Sequence, residues 1–196
     1  KISSTDNTNL PFLKKVALIG KPILLSTGMA YLFEIEKALE LIRAYNDKVI
    51  LLQCTSNYPV DSKDANLNVL QTFRDKFNIL VGYSDHTLGV GAAPYAVSAG
   101  AKVIEKHITL DKHLPGPDHH ASLDVRDFRR LVLDIRRVED YLGSFTKEPV
   151  PAEIETRKYA QKYLVASKNI KKGEILSEKN IDAKRTGGEG IHVGHY

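Results

Sequence analysis

The chain has 196 residues, of which 42% are hydrophobic and 27% are charged, a composition typical of one or two globular domains. Its formal net charge of +4 is spread along the sequence without a basic stripe, which argues against a nucleic-acid partner. No apolar stretch is long enough to span a membrane, and the single cysteine excludes an intrachain disulfide. We therefore expect a cytoplasmic protein that binds neither nucleic acid nor membrane.

Apolar runs and helix-like spacing alternate along the chain from Lys21 onward. Runs without polar interruption predict buried strands at residues 21–28, 48–59, 78–86 and 101–109. Apolar residues at helical spacing predict helices at residues 32–45, 66–77, 90–100 and 123–143. Residues 1–4 look like the end of an earlier strand, and the chain opens without methionine, so we expect a fragment of a longer protein.

Strands that are apolar on both faces and alternate with helices predict an α/β fold with a parallel sheet covered by helices. The five strands are too few to close an eight-stranded (β/α)8 barrel, which needs about 250 residues. The alternative is an open doubly wound sheet, although no glycine-rich phosphate-binding sequence follows any predicted strand.

The composition changes after Gly143. Residues 144–158 contain two prolines and scattered charges, which predict a polar linker. Residues 159–196 alternate apolar and polar positions around the turn KKGE at 171–174 and end in a glycine-rich loop. We expect residues 1–143 to form one domain and residues 159–196 to be the start of a second, small and truncated domain.

Every predicted strand ends in polar side chains after an apolar body. The carboxyl ends of parallel strands meet at one edge of the sheet, where functional sites gather. His86 and His107 end consecutive strands, with Ser84 on the same face as His86 and Glu105 on the same face as His107. Neighbouring strands lie about 4.8 Å apart, so two imidazoles at adjacent strand ends can reach one cation. The alternative is that the two histidines are hydrogen-bonded and bind no cation. A shared cation requires them to lie within about 6 Å, because each metal–nitrogen bond is about 2 Å.

Further candidates surround these strand ends. The turn PGPD at 115–118 is stiffened by two prolines, which would fix the direction of Asp118 beside the metal candidate. Cys54 lies in an apolar run and is expected to be a buried side chain that does not bind the cation. Three histidines of one loop are expected either in solvent or near the site: His113, His119 and His120.

Several motifs together resemble the sialic acid synthase family. They are STGM at 26–29, QCTSNYP at 53–59, GYSDHTLG at 82–89, IEKHITLDKHLPGPDHHASL at 104–123 and VASKNIKKGEIL at 165–176 with KR at 184–185. Members include N-acetylneuraminate, legionaminate and pseudaminate synthases, which condense phosphoenolpyruvate with an N-acetylated amino sugar. The resemblance implies a homodimer in which each chain has a (β/α)8 TIM barrel and a small antifreeze-protein-like (SAF) domain that caps the partner's barrel. It also implies that this chain begins near the end of the fourth barrel strand.

The resemblance assigns roles to individual residues in the barrel. His86 and His107 match ligands of a divalent metal, with Mn²⁺ favoured and Mg²⁺ or Co²⁺ as alternatives. Ser56 stands where many members have asparagine, and the neighbouring Asn57 is expected to compensate. The residues that match positions binding phosphoenolpyruvate are Lys1, Ser4, Ser26 and Ser84, and Ser56 and Asn57 are further candidates for substrate binding.

The remaining matches are catalytic residues on the sugar side of the site. Tyr58 and Asp118 match residues beside the sugar, and Asp118 would accept hydrogen bonds from its hydroxyls. Arg185 matches an arginine that the small domain directs at the N-acetyl group in the partner's barrel. The sequence KRTGGEG around Arg185 departs from the more usual KRPG pattern but keeps the basic pair.

These assignments predict a condensation of phosphoenolpyruvate with N-acetylmannosamine or a close relative, with C–O cleavage and release of phosphate. Legionaminate and pseudaminate synthases share most of the motifs, although the intact PGPD favours the other branches over pseudaminate. Two other readings remain open, namely a different metal-dependent aldolase or hydrolase barrel and a non-enzymatic scaffold with a carbohydrate- or ice-binding tail.

Overall fold

A four-stranded parallel sheet lies at the centre of residues 1–143 in the computed structural model, which describes residues 1–195 of the chain. Ile2 adds a parallel bridge to Leu25, so the predicted strand tail at residues 1–4 is confirmed at one residue. The strands pair in chain order and are β1 (Ile23–Ser26), β2 (Val49–Cys54), β3 (Val81–Asp85) and β4 (Val103–Lys106). A doubly wound sheet reverses its strand order at a switch point, and the described strands show no reversal. The architecture is a parallel α/β half-barrel.

Helices alternate with these strands as the sequence predicts. They are α1 (Leu10–Leu18), α2 (Leu32–Arg43), α3 (Val69–Phe77), α4 (Ala93–Ser98) and α5 (Val125–Leu142). Helix α1 was not predicted, because it is short and largely exposed. The Asn9 side chain caps α1 by accepting a hydrogen bond from the backbone N–H of Phe12 at 3.3 Å, and Pro11 lies in its first turn, where a missing N–H costs nothing.

The core lies between the sheet and the helices. All five residues of β3 are buried, and Leu51 and Tyr83 are fully enclosed. Four residues of α2 lie against the sheet at helical spacing: Ile35, Ala38, Leu39 and Ile42. Burial of each large apolar side chain contributes about 1.5–3 kcal/mol, so this packing holds the strand ends in place.

The chain divides into two units, Lys1–Gly143 and Ser144–Tyr196. The second contains α6 (Pro151–Ala160) and an antiparallel pair, β5 (Tyr163–Ala166) with β6 (Ile181–Lys184). The interpretation of residues 144–158 as a linker is corrected in part, because the chain is helical from Pro151. Glu153 accepts a hydrogen bond from the backbone N–H of Val150 at 3.0 Å and so satisfies a donor at the start of α6. Across the described residues, no helix has the length and apolarity needed to cross a membrane.

Candidate active site

A cavity of about 420 Å³ lies at the carboxyl ends of the strands, where the sequence analysis expected a site. All the predicted site residues except Asn57, Asp118 and Arg185 line it. The complete lining is Lys1, Ser3, Ser4, Thr5, Ser26, Met29, Cys54, Ser56, Tyr58, Ser84, His86, Glu105 and His107. A larger cavity of about 530 Å³ shares Met29, Cys54 and Ser56 with it but has no ionisable side chain other than Cys54 among its liners. The polar chemistry is therefore concentrated in the smaller cavity.

The two histidines lie side by side at the ends of β3 and β4. Their ring centroids are 5.3 Å apart, within the limit set above for a shared cation. The Nδ1 atom of His86 lies 2.8 Å from the backbone carbonyl oxygen of Thr55. Because that carbonyl can only accept, Nδ1 carries a proton, and in the neutral imidazole the lone pair is then on Nε2, the arrangement of a metal-binding histidine.

Cys54 lies beside His86, with its Sγ atom 3.9 Å from Nδ1. It is buried, as predicted, yet it also lines the cavity, which the sequence analysis did not expect. Burial alone would raise the pKa of the Cys54 thiol, but hydrogen bonding to His86 and to the hydroxyls of Ser4 and Ser84 leaves it below its ordinary value. Burial alone would lower the pKa of His86, but Cys54 and the Thr55 carbonyl leave it above its ordinary value.

Tyr58 and Asp118 lie at the rim. The Tyr58 ring is centred 4.1 Å from the ring of His86 and 5.5 Å from that of His107. Partial burial raises the pKa of Tyr58, so its hydroxyl stays protonated and able to donate. A carboxylate oxygen of Asp118 lies 3.9 Å from Nδ1 of His107, and the Asp118 carbonyl accepts hydrogen bonds from the N–H and hydroxyl of Ser122.

A carboxylate already occupies the positive side of the cavity. Glu105 Oε1 lies 3.0 Å from the Lys1 ammonium and accepts a hydrogen bond from the Ser84 hydroxyl at 2.8 Å. The Ser26 hydroxyl is buried and has no hydrogen-bond partner among the described residues. The Ser4 hydroxyl accepts from the backbone N–H of Gly28 at 2.9 Å, and Cys54 is a neighbouring acceptor for its own proton. Donors therefore converge here from separate strand ends.

Gly28 allows this convergence because it has no side chain. A Cβ atom at this position would lie 2.2 Å from the Ser56 hydroxyl oxygen and 2.8 Å from that of Ser4. Real Cβ atoms do not approach oxygen that closely, so any other residue here would push the two serines apart.

The other predicted residues lie elsewhere. Asn57 is exposed and does not line the cavity, so Ser56 alone presents a donor there, and the expected compensation by Asn57 is not supported. Arg185 is exposed directly after β6, in the second unit. The three loop histidines are absent from the lining: His113, His119 and His120.

Comparisons with known proteins identify the family of the chain. The model of the NeuB family matches residues 1–147. The chain belongs to the NeuB family. It is 46% identical to the N,N'-diacetyllegionaminic acid synthase of Campylobacter jejuni, over 94% of this chain and 56% of that protein. It is 38% identical to the N-acetylneuraminate-9-phosphate synthase of Homo sapiens, over 94% of this chain and 52% of that protein.

A solved structure agrees with this assignment to the NeuB family. The N-acetylneuraminic acid synthetase of Leptospira borgpetersenii, crystallised with citrate, aligns with a TM-score of 0.75 and 37% identity. The alignment covers 80% of this chain and 55% of that one. The chain thus spans about half the length of the relatives that it matches.

Five residues that line the cavity of this NeuB chain were not assigned to the site from sequence: Ser3, Thr5, Met29, Cys54 and Glu105. Glu105 was placed on the face of His107 by strand alternation, but nothing local showed that it would contact Lys1 and Ser84. The relevant signal is the sequence EKH itself, in which an acidic residue shares a strand face with the histidine.

Proposed function

We propose that this protein condenses phosphoenolpyruvate with an N-acetylated amino sugar and water, giving a nine-carbon sialic acid of the N-acetylneuraminate type and phosphate. The observation that supports it is a single cavity in which Lys1 and several serine hydroxyls lie next to His86 and His107, in a chain of the NeuB family. In this reaction C3 of phosphoenolpyruvate bonds to the aldehyde carbon of the sugar. Water adds to C2, and the C2–O bond breaks so that the bridging oxygen leaves with phosphate.

The anion would bind on the Lys1 side. Phosphoenolpyruvate carries several negative charges, and charge-assisted hydrogen bonds from an ammonium and nearby hydroxyls supply both affinity and orientation. Ser26 supports this assignment because its buried hydroxyl has no protein partner among residues 1–195. The contacts that Lys1 and Ser84 now make with Glu105 would be exchanged for, or shared with, the bound anion.

The donor set fits a divalent cation of the Mn²⁺ type. His86 and His107 would hold it, and its chemistry there would be to polarise the aldehyde oxygen of the sugar. Among residues 1–195 no group of three or more His, Cys, Asp and Glu side chains is placed to hold a metal. Two imidazoles leave coordination positions open for water and substrate. Such a site suits Mn²⁺, Mg²⁺ or Co²⁺ better than a closed site of thiolate ligands would.

The acceptor sugar would lie on the Tyr58 side of the histidines. Tyr58 can donate a hydrogen bond, and Asp118 can accept one from a sugar hydroxyl at the rim. We further propose that residues 159–196 begin an SAF domain and that the protein is a homodimer. Arg185 would then reach the N-acetyl group in the partner's barrel, where a guanidinium can donate two hydrogen bonds to an amide carbonyl.

A legionaminic acid synthase is the second candidate. It is favoured by the 46% identity to the Campylobacter jejuni enzyme, against 38% to the human N-acetylneuraminate-9-phosphate synthase. The two candidates share the phosphoenolpyruvate chemistry and differ only in the substituents of the acceptor. Pseudaminate is the less favoured branch because PGPD is intact.

Phosphate release in the full-length protein tests this function. The assay uses phosphoenolpyruvate labelled with ¹⁸O in the bridging position, Mn²⁺, and a panel of acceptors. The panel holds N-acetylmannosamine with and without a phosphate group and a di-N-acetylated hexose. Labelled phosphate that appears only with one acceptor identifies the sugar and establishes C–O cleavage. Absence of phosphate release with every acceptor, from folded protein, would rule the proposal out.

The metal assignment has its own test. His107→Ala should abolish Mn²⁺-dependent turnover, since one imidazole cannot hold the cation that two would share. His113→Ala is the matched control, because His113 is exposed and outside the cavity. Full activity of the His107 variant after chelation and return of Mn²⁺ would show that the assignment is wrong.

A further inference from the structure

A buried ion pair lies directly behind the two histidines. The Lys106 ammonium donates a hydrogen bond to Asp85 Oδ2 at 3.0 Å, and the two side chains are 1% and 0% exposed. Asp85 and Lys106 are register partners at the ends of β3 and β4. They immediately precede His86 and His107, so the pair joins the two strands at the last residues before the imidazoles.

Thr87 closes this pair into a network. The second oxygen of Asp85 accepts hydrogen bonds from the Thr87 backbone N–H at 2.9 Å and the Thr87 hydroxyl at 2.7 Å. Lys106 also donates to the Thr87 carbonyl, and the Thr87 hydroxyl accepts from the N–H of Ala92 at 3.0 Å. A Cβ at Gly91 would come within 1.9 Å of the Thr87 hydroxyl, so the loop packs tightly on the network. His86 is thus held between two anchored neighbours.

The network does not belong to the cavity. Alternation along the strands directs Asp85 and Lys106 to the face opposite Ser84 and Glu105, and neither of the pair lines the cavity. They cannot touch a substrate bound there, and nothing in the proposed chemistry uses them directly.

A contribution to folding stability does not by itself explain why this ion pair is buried. Moving two charges out of water costs several kcal/mol for each ion, and well-packed apolar residues often replace a buried pair without loss. In every other ion pair of residues 1–195, both side chains are at least 23% exposed. What a buried, hydrogen-bonded pair supplies that apolar residues cannot is a defined register and direction.

We propose that Asp85, Lys106 and Thr87 form a positioning network that fixes the separation and orientation of His86 and His107. This inference rests on the proposed function, in which the two imidazoles share a cation. The network holds the β3 end against the β4 end, and the hydrogen bond from His86 Nδ1 to the Thr55 carbonyl then sets the rotation of the ring. Loss of the network would leave both ligands present but poorly placed for one cation.

Mn²⁺ binding by the full-length protein tests the proposal. The free ion is followed by its electron paramagnetic resonance signal during titration of Asp85→Asn, Lys106→Met and the double variant. We expect the Kd for Mn²⁺ to rise at least ~10-fold in each folded variant, the scale of effect seen when groups that orient metal ligands are removed. The matched control replaces the partly exposed Lys112–Asp127 pair with Met and Asn, and its Kd should stay within about twofold of the parent because surface pairs contribute little.

The double variant keeps the test decisive. A single substitution leaves one buried charge without its partner and can prevent folding, whereas the double variant removes both charges and nearly preserves volume. A double variant that folds by circular dichroism and binds Mn²⁺ as tightly as the parent would overturn the proposal.

A crystal structure separates this proposal from the proposed function. The double variant should show the imidazole centroids displaced from their 5.3 Å separation, and an unchanged separation would overturn the positioning role. If the parent itself binds no Mn²⁺, the proposed metal chemistry is wrong. The separation of the imidazole centroids in the double variant, compared with the parent, still decides whether the network positions the histidines.

Discussion

In the first unit β3 is buried along its whole length, whereas in the described part of the second unit Asn180 is the one buried residue. The second unit instead exposes large apolar side chains, with Ile175 84% exposed and Phe145 fully so. Its hydrogen bonds come from the helix α6, one antiparallel strand pair and turns. An apolar core stabilises the first unit and holds its strand ends rigidly, while the second unit depends on local polar contacts and presents surface that a partner could cover.

The substitution with the largest expected effect is in the second unit, and it tests whether that unit contributes to the active site. Arg185→Ala should remove nearly all activity if the guanidinium binds the N-acetyl group in the partner's barrel. Mixing that variant with His107→Ala should restore one working site per heterodimer, formed by the intact arginine of one chain over the intact barrel of the other. Phosphate release after subunit exchange is the measurement.

A negative result is informative only if the subunits exchange. Two affinity tags, one on each variant, establish whether mixed dimers form. If mixed dimers form and activity stays absent, Arg185 does not act across subunits. The second unit would then differ from the first in function as well as in packing.

Matched truncations in the two units compare their packing directly. Leu51→Ala removes a fully enclosed side chain from β2 and should lower the free energy of unfolding by about 3 kcal/mol. Ile175→Ala removes an exposed side chain and should change it by less than about 0.5 kcal/mol. Denaturant unfolding measures both, and equal effects would mean that the second unit is covered in the assembled protein.

Substitution of Lys1 tests the positive side of the cavity. Lys1→Ala should weaken phosphoenolpyruvate binding by about 2–3 kcal/mol, the range for a charge-assisted contact. Lys21→Ala is the control, since Lys21 is exposed and outside the cavity. Calorimetric titration gives the affinity, and equal affinities in the parent and the Lys1 variant would contradict the anion assignment.

The smallest expected effect is on stability and comes from replacing Asn180, whose side-chain amide is buried in the second unit. The Asn180 side chain donates to Glu174 Oε1 at 3.1 Å and to the Ile175 carbonyl at 3.0 Å, and it accepts from the Ser177 N–H at 2.8 Å. Asn180→Ala should destabilise this loop by about 1–2 kcal/mol because those groups lose their partner.

Hydrogen exchange locates that effect. Amide protection should fall between Glu174 and β6 while it stays unchanged in β3, and Lys179→Ala should alter neither. Loss of protection in β3 would show that the two units are coupled.

The strands and most helices could be predicted because their signals are local. Continuous apolar runs marked the four strands of the parallel sheet, and helical spacing marked α2, α3, α4 and α5. The omission of α1 and α6 has a common cause, since both begin at a proline in the first turn and bury few residues. The sequence does carry a start signal for each helix, namely Asn9 at the cap of α1 and Glu153, which accepts a hydrogen bond from the Val150 N–H at the start of α6.

Site residues could be predicted where their position follows from the end of a single strand. Alternation placed Ser84 and His86 on one face, and parallel pairing brought His107 beside them. The contact of Glu105 with Lys1, and that of Asp85 with Lys106, depend on the register between strands. A single sequence does not specify that register until the sheet is assembled.

The composition of the cavity lining makes binding measurable with a single reporter group. Met29 is the single methionine of the chain and Cys54 its single cysteine, and both line the cavity. A ¹³C-labelled methionine methyl group would therefore give one NMR resonance, located at the mouth of the site, that shifts when phosphoenolpyruvate binds. The chain also has no tryptophan, so replacement of the exposed Tyr31 by tryptophan would give a single fluorescent reporter two residues from Met29 with no background to subtract.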